Sequence, residues 1–158
     1  MKNNKVMITG VAGLIGSHLA EKLLDLGYEV HALDTAGLET NMNLVNVKNH
    51  ENFKYYQNDI RSDSGLRDFF QSDALVIYHL ASIVGVNKYM EDPLSLIDIS
   101  VIGTRNLIEL CQNSDIRMLY ASTSEVYGRN TKIPWPESED RVLGPTNVDR
   151  WSYSTSKA

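Results

Sequence analysis

A tyrosine and a lysine near the end of the chain are the residues whose types and spacing most directly indicate chemistry. Tyr153 and Lys157 are four residues apart, so on a helix they share one face. A lysine cation beside a phenol lowers the pKa of that phenol, which makes Tyr153 a candidate general base towards a substrate hydroxyl. Thr123, at the end of an apolar run, could hydrogen-bond the same oxygen. In isolation such a tyrosine–lysine pair is common in helices, and the catalytic interpretation depends on the features around it.

Three glycines spaced three residues apart form a candidate phosphate-binding turn. Gly10, Gly13 and Gly16 lie between a predicted strand and a predicted helix. Glycine permits a tight turn and a close approach of backbone to a pyrophosphate, and the helix N-terminus adds free N–H groups. Asp34, which closes the second predicted strand, could accept hydrogen bonds from both hydroxyls of an adenosine ribose, although a loop-capping role is the alternative. Because no positive charge follows it for a 2′-phosphate, the sequence predicts NAD rather than NADP.

Further candidate residues follow the third and fourth predicted strands. Asp59 could accept a hydrogen bond from the adenine amino group, with Ile60 against the ring face, although an N-cap or a surface turn explains Asp59 nearly as well. His79 has apolar neighbours on its strand, so we interpret it as a hydrogen-bonded structural histidine rather than a base. Leu80 and Ala81 follow it, where small residues leave space for a cofactor.

The hydrophobic pattern predicts strands and helices in alternation. The predicted strands are 5–9, 29–33, 53–57, 74–80 and 118–121, and the predicted helices are 14–26, 62–71 and 93–112, with a further helix beginning near residue 151. Such alternation implies right-handed crossovers and a mostly parallel sheet. The predicted fold class is therefore α/β, a Rossmann-like doubly wound parallel sheet of which these are the first five strands.

The same pattern assigns the faces of the helices and the connections. Leu19 and Leu23, with Ile15 and Leu26, are the predicted buried stripe of the first helix. The predicted stripe of the long third helix is Leu96, Ile99, Ile102, Leu107 and Leu110. Residues 35–52 are rich in asparagine and weakly patterned, which indicates a surface connection, and 128–149 hold three of the four prolines, which indicates a long loop.

Composition excludes several classes of protein. The chain has 158 residues, of which 42% are hydrophobic and 22% charged, as in ordinary globular proteins. The net charge of -5 comes without a basic block, so nucleic acid is a poor candidate partner. Cys111 is the only cysteine, which excludes an internal disulfide and a cysteine-based zinc site and favours a reducing cytoplasm. No apolar run approaches the roughly 20 residues that span a bilayer. We expect a cytoplasmic protein with no membrane partner and no metal.

Together these motifs resemble the extended short-chain dehydrogenase/reductases, the NAD-dependent nucleotide-sugar epimerases, dehydratases and decarboxylases. The resemblance extends over the whole chain and includes the glycine turn, the acid at 34, Asp59-Ile60-Arg61, His79-Leu80-Ala81, Ile102-Gly103-Thr104, the strand end 122–128 and the Tyr153–Lys157 pair. It implies that NAD is bound by Gly10, Gly13, Leu14, Ile15, Gly16, Asp34, Asp59, Ile60, Leu80, Ala81, Tyr153 and Lys157. It implies that Thr123, Tyr153 and Lys157 form the catalytic triad, joined by Glu125.

The strand end also favours one reaction among these relatives, all of which first oxidise the C4 hydroxyl of the sugar. The resemblance makes Ser124 a candidate substrate contact. The 4-epimerases usually have no acid at the position of Glu125, and the dTDP-glucose 4,6-dehydratases have an aspartate at that of Ser124. GDP-mannose dehydratases tolerate this Thr-Ser-Glu sequence but tend to have an NADP-type glycine loop. UDP-glucuronate decarboxylases share it, and Tyr89 is a second candidate substrate contact in that resemblance, although it also fits a packing residue at a helix start. Decarboxylation is therefore preferred, with 4-epimerisation or 4,6-dehydration as the alternative and an NAD-sensing domain as the non-enzyme alternative.

The resemblance also sets an expectation about completeness. We expect residues 1–158 to be a single NAD-binding domain, cut after the tyrosine–lysine motif, without the C-terminal lobe that holds the nucleotide sugar in these relatives. On that expectation the 158 residues alone are inactive, and the full-length protein is a homodimer.

Overall fold

A five-stranded parallel sheet forms the centre of the molecule. The structure is a computed structural model, and it describes residues 4–85 and 91–158. The strands are β1 (Lys5–Thr9), β2 (Glu29–Asp34), β3 (Phe53–Gln57), β4 (Val76–His79) and β5 (Arg117–Tyr120). Their order across the sheet is β3-β2-β1-β4-β5, and every pairing is parallel. The predicted fold class is confirmed. In this order the chain leaves β1 towards one edge and β4 towards the other, which opens a crevice at their carboxyl ends.

Helices cover the sheet at positions close to those predicted. They are α1 (Leu14–Asp25), α2 (Asp63–Phe69), α3 (Pro93–Ile97), a π-helical segment (Asp98–Gly103), α4 (Thr104–Cys111) and α5 (Trp151–Ser156). Two short 3-10 turns lie at Met42–Leu44 and Ser124–Tyr127. The predicted loop 128–149 has neither helix nor strand, only one isolated bridge from Gly128 to Val142.

The inner face of α1 differs from the predicted stripe. Ile15 is 72% exposed and Leu26 is 61% exposed, whereas Ser17 and Ala20 are buried with Leu23. At its N-terminal end α1 approaches the preceding turn so closely that Gly16 has no room for a side chain, and small residues form this part of the buried face. The hydrophobic pattern therefore identified the helix correctly but misplaced part of its face.

The long third helix is interrupted by a π-helical segment, which the sequence analysis missed. Leu96 before the segment and Leu107 after it are fully buried, but Ile102 within it is 43% exposed, contrary to the prediction. A π-helical turn holds more residues than an α-helical turn, so it rotates the face that the residues present. A single α-helical period therefore could not describe both ends of this helix.

The segment 35–52 is largely a surface connection, as predicted, but two of its residues enter the core. Leu44 and Val47 are buried and pack with α1 and β2. The side-chain amide of Asn43 donates from Nδ2 to the carbonyl of Ala12 at 2.8 Å, which ties the segment to the glycine turn. Its two buried apolar residues are isolated among polar ones, so no periodic pattern marks them.

We predict that Gly103 is required because Ile60 occupies the space of a side chain there. A Cβ on Gly103 would lie 2.3 Å from Cδ1 of Ile60. In the full-length protein, Gly103→Ala should lower the free energy of unfolding by about 1–3 kcal/mol through overpacking, measured by urea denaturation. In an Ile60→Ala background the same substitution should cost little. Equal costs in both backgrounds would show that the clash is not the cause.

Candidate functional site

The glycine turn lies at the carboxyl end of β1, in the crevice of the sheet. Gly10 has a φ of 75° and its missing Cβ would lie 2.6 Å from the amide nitrogen of Ala81. A Cβ on Gly16 would lie 2.4 Å from the carbonyl oxygen of Gly10. These two glycines are therefore required by packing, one against the loop after β4 and the other against the turn itself.

Gly13 differs from the other two glycines because the space beside it is open. A Cβ there would meet only the Gly10 oxygen, at 3.4 Å. Gly13 is the N-cap of α1, which has neither a side-chain cap nor an acidic residue in its first turn. Leu14 and Ile15 follow it with exposed side chains. The first N–H groups of a twelve-residue helix are thus available to an anion, the arrangement that pyrophosphate-binding turns use.

Asp34 joins the glycine turn to the second strand. Its carboxylate oxygens accept hydrogen bonds from the amide of Ala12 at 2.9 Å and the amide of Ala36 at 3.1 Å. The carboxylate borders a cleft of about 160 Å³, whose lining also includes Asp59, Ile60 and Ala81. A carboxylate fixed at this position can accept hydrogen bonds from ribose hydroxyls, so the residues present fit the adenosine half of NAD.

Asp59 is held by a partner that the sequence analysis did not assign. Both of its carboxylate oxygens accept hydrogen bonds from the Arg61 side chain, and the Arg61 guanidinium holds the pKa of Asp59 below its ordinary value. Ile60 is buried under Gly103, so only part of it borders the cleft. Asn106 donates to the carbonyl oxygens of residues 60 and 61 and so fixes this loop to α4.

His79 is a structural residue, as the sequence analysis predicts. Its Nδ1 lies 2.7 Å from Oγ1 of Thr9 and its Nε2 lies 2.9 Å from Oγ1 of Thr104. Thr104 donates to the carbonyl of Ser100, so its oxygen can accept only from Nε2–H. Burial, and then the positive charge of Lys157, lowers the pKa of His79 to about 4. His79 therefore remains neutral and is not suited to act as a base.

Tyr153 lies on α5, beside the end of β5, and Lys157 is the C-cap residue directly after this helix. The hydroxyl of Tyr120 donates to the carbonyl of Ser156 at 3.2 Å, and the hydroxyl of Ser122 donates to that of Lys157 at 2.8 Å. These bonds use carbonyls at the helix C-terminus that have no partner within the helix. Lys157 is 3% exposed, and burial lowers its pKa to about 8. Tyr153 is half-buried one helical turn earlier.

Thr123 begins the 3-10 turn that carries the other predicted polar residues. Its hydroxyl oxygen accepts from the amide of Glu125 at 3.2 Å, and Ser124 between them is exposed. Glu125 lies 3.8 Å from the guanidinium of Arg150, the residue before α5. Glu125 and Arg150 are 25 positions apart in the sequence, so no local pattern predicts this pair. Tyr89, the other predicted substrate contact, lies outside the described residues.

A larger cleft lies elsewhere in the fold. It has a volume of about 890 Å³ and lies at the amino ends of β4 and β5, lined by residues such as Asp73, Tyr78 and Asn113. The predicted site residues lie at the carboxyl ends of the strands, so this cleft is not part of the candidate site. The described residues include no group of three or more histidine, cysteine or acidic side chains arranged to hold a metal ion. None of their helices is long and apolar enough to cross a bilayer.

Comparison with known families defines the class of protein. Residues 7–158 match the family model described as GDP-mannose 4,6 dehydratase. The chain belongs to this family, whose members include NAD-dependent nucleotide-sugar epimerases, dehydratases and decarboxylases.

Two curated relatives are decarboxylases. The chain is 36% identical over 157 residues to a UDP-N-acetyl-alpha-D-glucosaminuronate decarboxylase of Bacillus cytotoxicus. The aligned region is 97% of this chain and 46% of that relative. It is 34% identical over 149 residues to UDP-glucuronic acid decarboxylase 1 of Danio rerio, and the aligned region is 94% of this chain and 32% of that relative. The chain thus spans less than half the length of these two relatives.

Solved structures add epimerases and dehydratases to the similar proteins. A UDP-N-acetylglucosamine 4-epimerase from Methanobrevibacter ruminantium M1 is 30% identical with a TM-score of 0.82, over 99% of this chain and 48% of that one. A dTDP-glucose 4,6-dehydratase from Bacillus anthracis, solved in complex with NAD, is 26% identical with a TM-score of 0.76. This match covers 97% of the present chain and 46% of the dehydratase chain. The predicted family and fold are confirmed, whereas relatives with three different reactions leave the particular reaction open.

We predict that alanine at Gly13 separates cofactor binding from folding. In the full-length protein, Gly13→Ala should lower the thermal midpoint only slightly, because the new methyl meets only one atom in ordinary contact, although alanine is a poorer N-cap than glycine. It should weaken NAD binding at least about tenfold, since the methyl would stand where a pyrophosphate approaches the helix N-terminus. Gly16→Ala is the matched control and should lower both stability and affinity. Undiminished binding of NAD by Gly13→Ala in a calorimetric titration would contradict the assignment.

Proposed function

We propose that the full-length protein is an NAD-dependent enzyme that decarboxylates a UDP-linked hexuronate, UDP-glucuronate in the first place, through a 4-keto intermediate. The observation that carries the proposal is the group at the ends of β5 and α5. There a buried lysine and a tyrosine lie beside a Thr-Ser-Glu turn whose glutamate pairs with an arginine.

The cofactor in this proposal is NAD, which supplies the acceptor for the hydride that leaves C4. The turn from Gly10 to Gly16 would hold the pyrophosphate on the backbone of Gly13, Leu14 and Ile15. Asp34 would bind the adenosine ribose, and its negative charge would repel a 2′-phosphate. Asp59 and Ile60 would border the adenine. Leu80 and Ala81 would lie along the cofactor at the end of β4, and Tyr153 and Lys157 would reach the nicotinamide ribose.

Tyr153 would take the proton of the C4 hydroxyl, because the positive charge of Lys157 favours the phenolate. Thr123 would hydrogen-bond the same oxygen. Its own oxygen already accepts from the Glu125 amide, which fixes the rotamer of the hydroxyl. Lys157 suits this task because its low exposure leaves its charge little screened by solvent.

The Thr-Ser-Glu turn favours decarboxylation over the alternatives. Loss of CO₂ from a β-keto acid needs only an electron sink: the electrons of the breaking bond to the carboxylate move towards the C4 carbonyl, and C5 later receives a proton. Ser124 is a poor acid, so expulsion of a hydroxyl as in 4,6-dehydration lacks a donor at that position. Glu125 and Ser124 would orient the ring or manage protons. Both curated relatives described above decarboxylate a UDP-linked sugar acid by name, which supports the same choice.

Arg150 supports a substrate with a carboxylate. It precedes Tyr153 by three residues and therefore lies on the same face at the start of α5. In a hexuronate the carboxylate is attached to C5, which is adjacent to C4. A sugar with its C4 hydroxyl at Tyr153 would therefore hold its carboxylate within about one helical turn of Tyr153, where Arg150 lies. The Arg150 side chain is 55% exposed, and the distance from its guanidinium to Glu125, 3.8 Å, is longer than a hydrogen bond. It can therefore turn to a second anion at little cost.

We further propose that the full-length protein is a homodimer that uses the exposed side of α3 and the π-helical segment. Leu94, Ile97 and Val101 are apolar and at least partly exposed there. Beside them lies a cleft of about 420 Å³ that extends to Trp151 on α5. These three residues are three and four positions apart, so they lie on one helical face. An exposed apolar patch of this kind is typical of surfaces that bind another protein.

The first prediction from this proposal concerns the product. Full-length protein given UDP-glucuronate should release CO₂ and form a UDP-linked pentose or its 4-keto form, detected by mass spectrometry. Tyr153→Phe should abolish this turnover with NAD binding retained, because the base is lost with little change in packing. UDP- and dTDP-glucose serve as parallel substrates. A 4-epimer, or a 6-deoxy-4-keto sugar without CO₂, would instead support the alternative reactions, and no turnover with any sugar would support a sensor.

The second prediction is that Arg150 selects acidic sugars. Arg150→Gln in the full-length protein should weaken binding of UDP-glucuronate about tenfold or more, which corresponds to one lost charge-assisted hydrogen bond. Binding of neutral UDP-glucose should change little, because it has no carboxylate. Arg129→Gln, which removes an exposed arginine of the preceding loop, is the control. Equal losses for the acidic and the neutral sugar in calorimetric titrations would refute the assignment.

A further inference from the structure

Lys157 is a buried cation whose charge must be stabilised without a carboxylate. Among the described residues it forms no ion pair, and burial alone accounts for the fall of its pKa to about 8. A lysine in such an environment loses its proton more readily than one in water. The proposed mechanism needs the charged form, so some other group has to favour it.

The ring of Tyr120 is the group that meets the ammonium. Nζ of Lys157 lies 4.7 Å from the centre of this ring. A cation within about 6 Å of an aromatic face is attracted by the negative potential of the ring, and the attraction grows when both are shielded from water. Burial, the largest influence, raises the pKa of Tyr120, so the phenol is neutral at the pH where the lysine is charged.

The position of this ring is fixed from two sides. Its hydroxyl donates to the carbonyl of Ser156, the residue before Lys157. The ring of His79 lies beside it, with centroids 5.6 Å apart and planes inclined by 37°. His79 is itself held at both nitrogens by Thr9 and Thr104. The ring therefore cannot turn away from the lysine without breaking its contacts to β4 and to α5.

We propose that Tyr120 is the positioning residue of Lys157, with its ring face holding the ammonium in its charged form and its hydroxyl fixing the end of α5 beneath it. The titratable groups placed against this ammonium are His79 on β4 and Tyr120 on β5, and Tyr153 lies one turn earlier on α5. His79 is neutral throughout the working range, so the aromatic face is the stabilising contact. The proposal rests on the proposed catalytic role of Lys157, but it does not depend on which sugar is converted.

The test compares the ring with its hydroxyl by measuring the pKa of Lys157 directly. Full-length protein labelled with ¹³Cε-lysine is titrated by NMR, with the Lys157 signal assigned through Lys157→Arg. Tyr120→Phe keeps the ring and should leave the lysine pKa unchanged within error. Tyr120→Leu removes the ring and should lower that pKa by roughly 0.4 to 1.5 units, the equivalent of one cation–π contact. Because the charged form is then lost at lower pH, the alkaline limb of any turnover should move to lower pH by the same amount.

Pentafluorophenylalanine at position 120 is the control in case Tyr120→Leu does not fold. It keeps the shape of the ring but reverses the electrostatic potential of the ring face. It should lower the lysine pKa as leucine does. An unchanged pKa in both the leucine and the fluorinated variants would overturn the proposal, as would an equal fall in Tyr120→Phe. If the wild-type protein converts no nucleotide sugar, the proposed function fails while the NMR titration still decides the role of Tyr120.

Discussion

The pair of hydrogen bonds made by His79 is the interaction on which the rest of the site depends. One joins β4 to Thr9, the last residue of β1, directly before the glycine turn. The other joins β4 to Thr104, where the π-helical segment passes into α4. The hydroxyl of Thr9 also accepts from the amide of Ala81, which holds the loop after β4 against Gly10. One buried imidazole thus links the end of β1, directly before the glycine turn, to the start of α4.

This arrangement requires that His79 stay neutral, and its surroundings ensure this in two ways. Each ring nitrogen has a single partner with a defined donor or acceptor role, which selects one tautomer. Burial and the nearby lysine disfavour a second positive charge. The positive charge in this part of the fold therefore resides on Lys157, at the end of the helix that also carries Tyr153.

The π-helical segment has a related structural role. Gly103 lets the helix approach Ile60 closely, and Thr104, the next residue, directs its hydroxyl to His79. The hydroxyl of Thr104 also donates to the Ser100 carbonyl at 2.5 Å, inside the segment. An uninterrupted α-helix would present different residues to β4 and to the Asp59 loop, so the irregularity is what brings both contacts together.

The sequence by itself determined the features that depend on neighbouring residues. These are the five strands, the glycine turn, the acid at 34 and the tyrosine–lysine pair, because a short apolar run, a turn and a helical spacing of four are each set by local geometry. It also indicated the family, since those motifs occur in a definite order along the chain. Only the tertiary structure decided which face of α1 is buried, because small residues at the turn, rather than large apolar ones, allow close packing. It likewise decided that Leu44 enters the core, and that Arg150 lies beside Glu125. Such contacts join residues distant in sequence, and no periodicity records them.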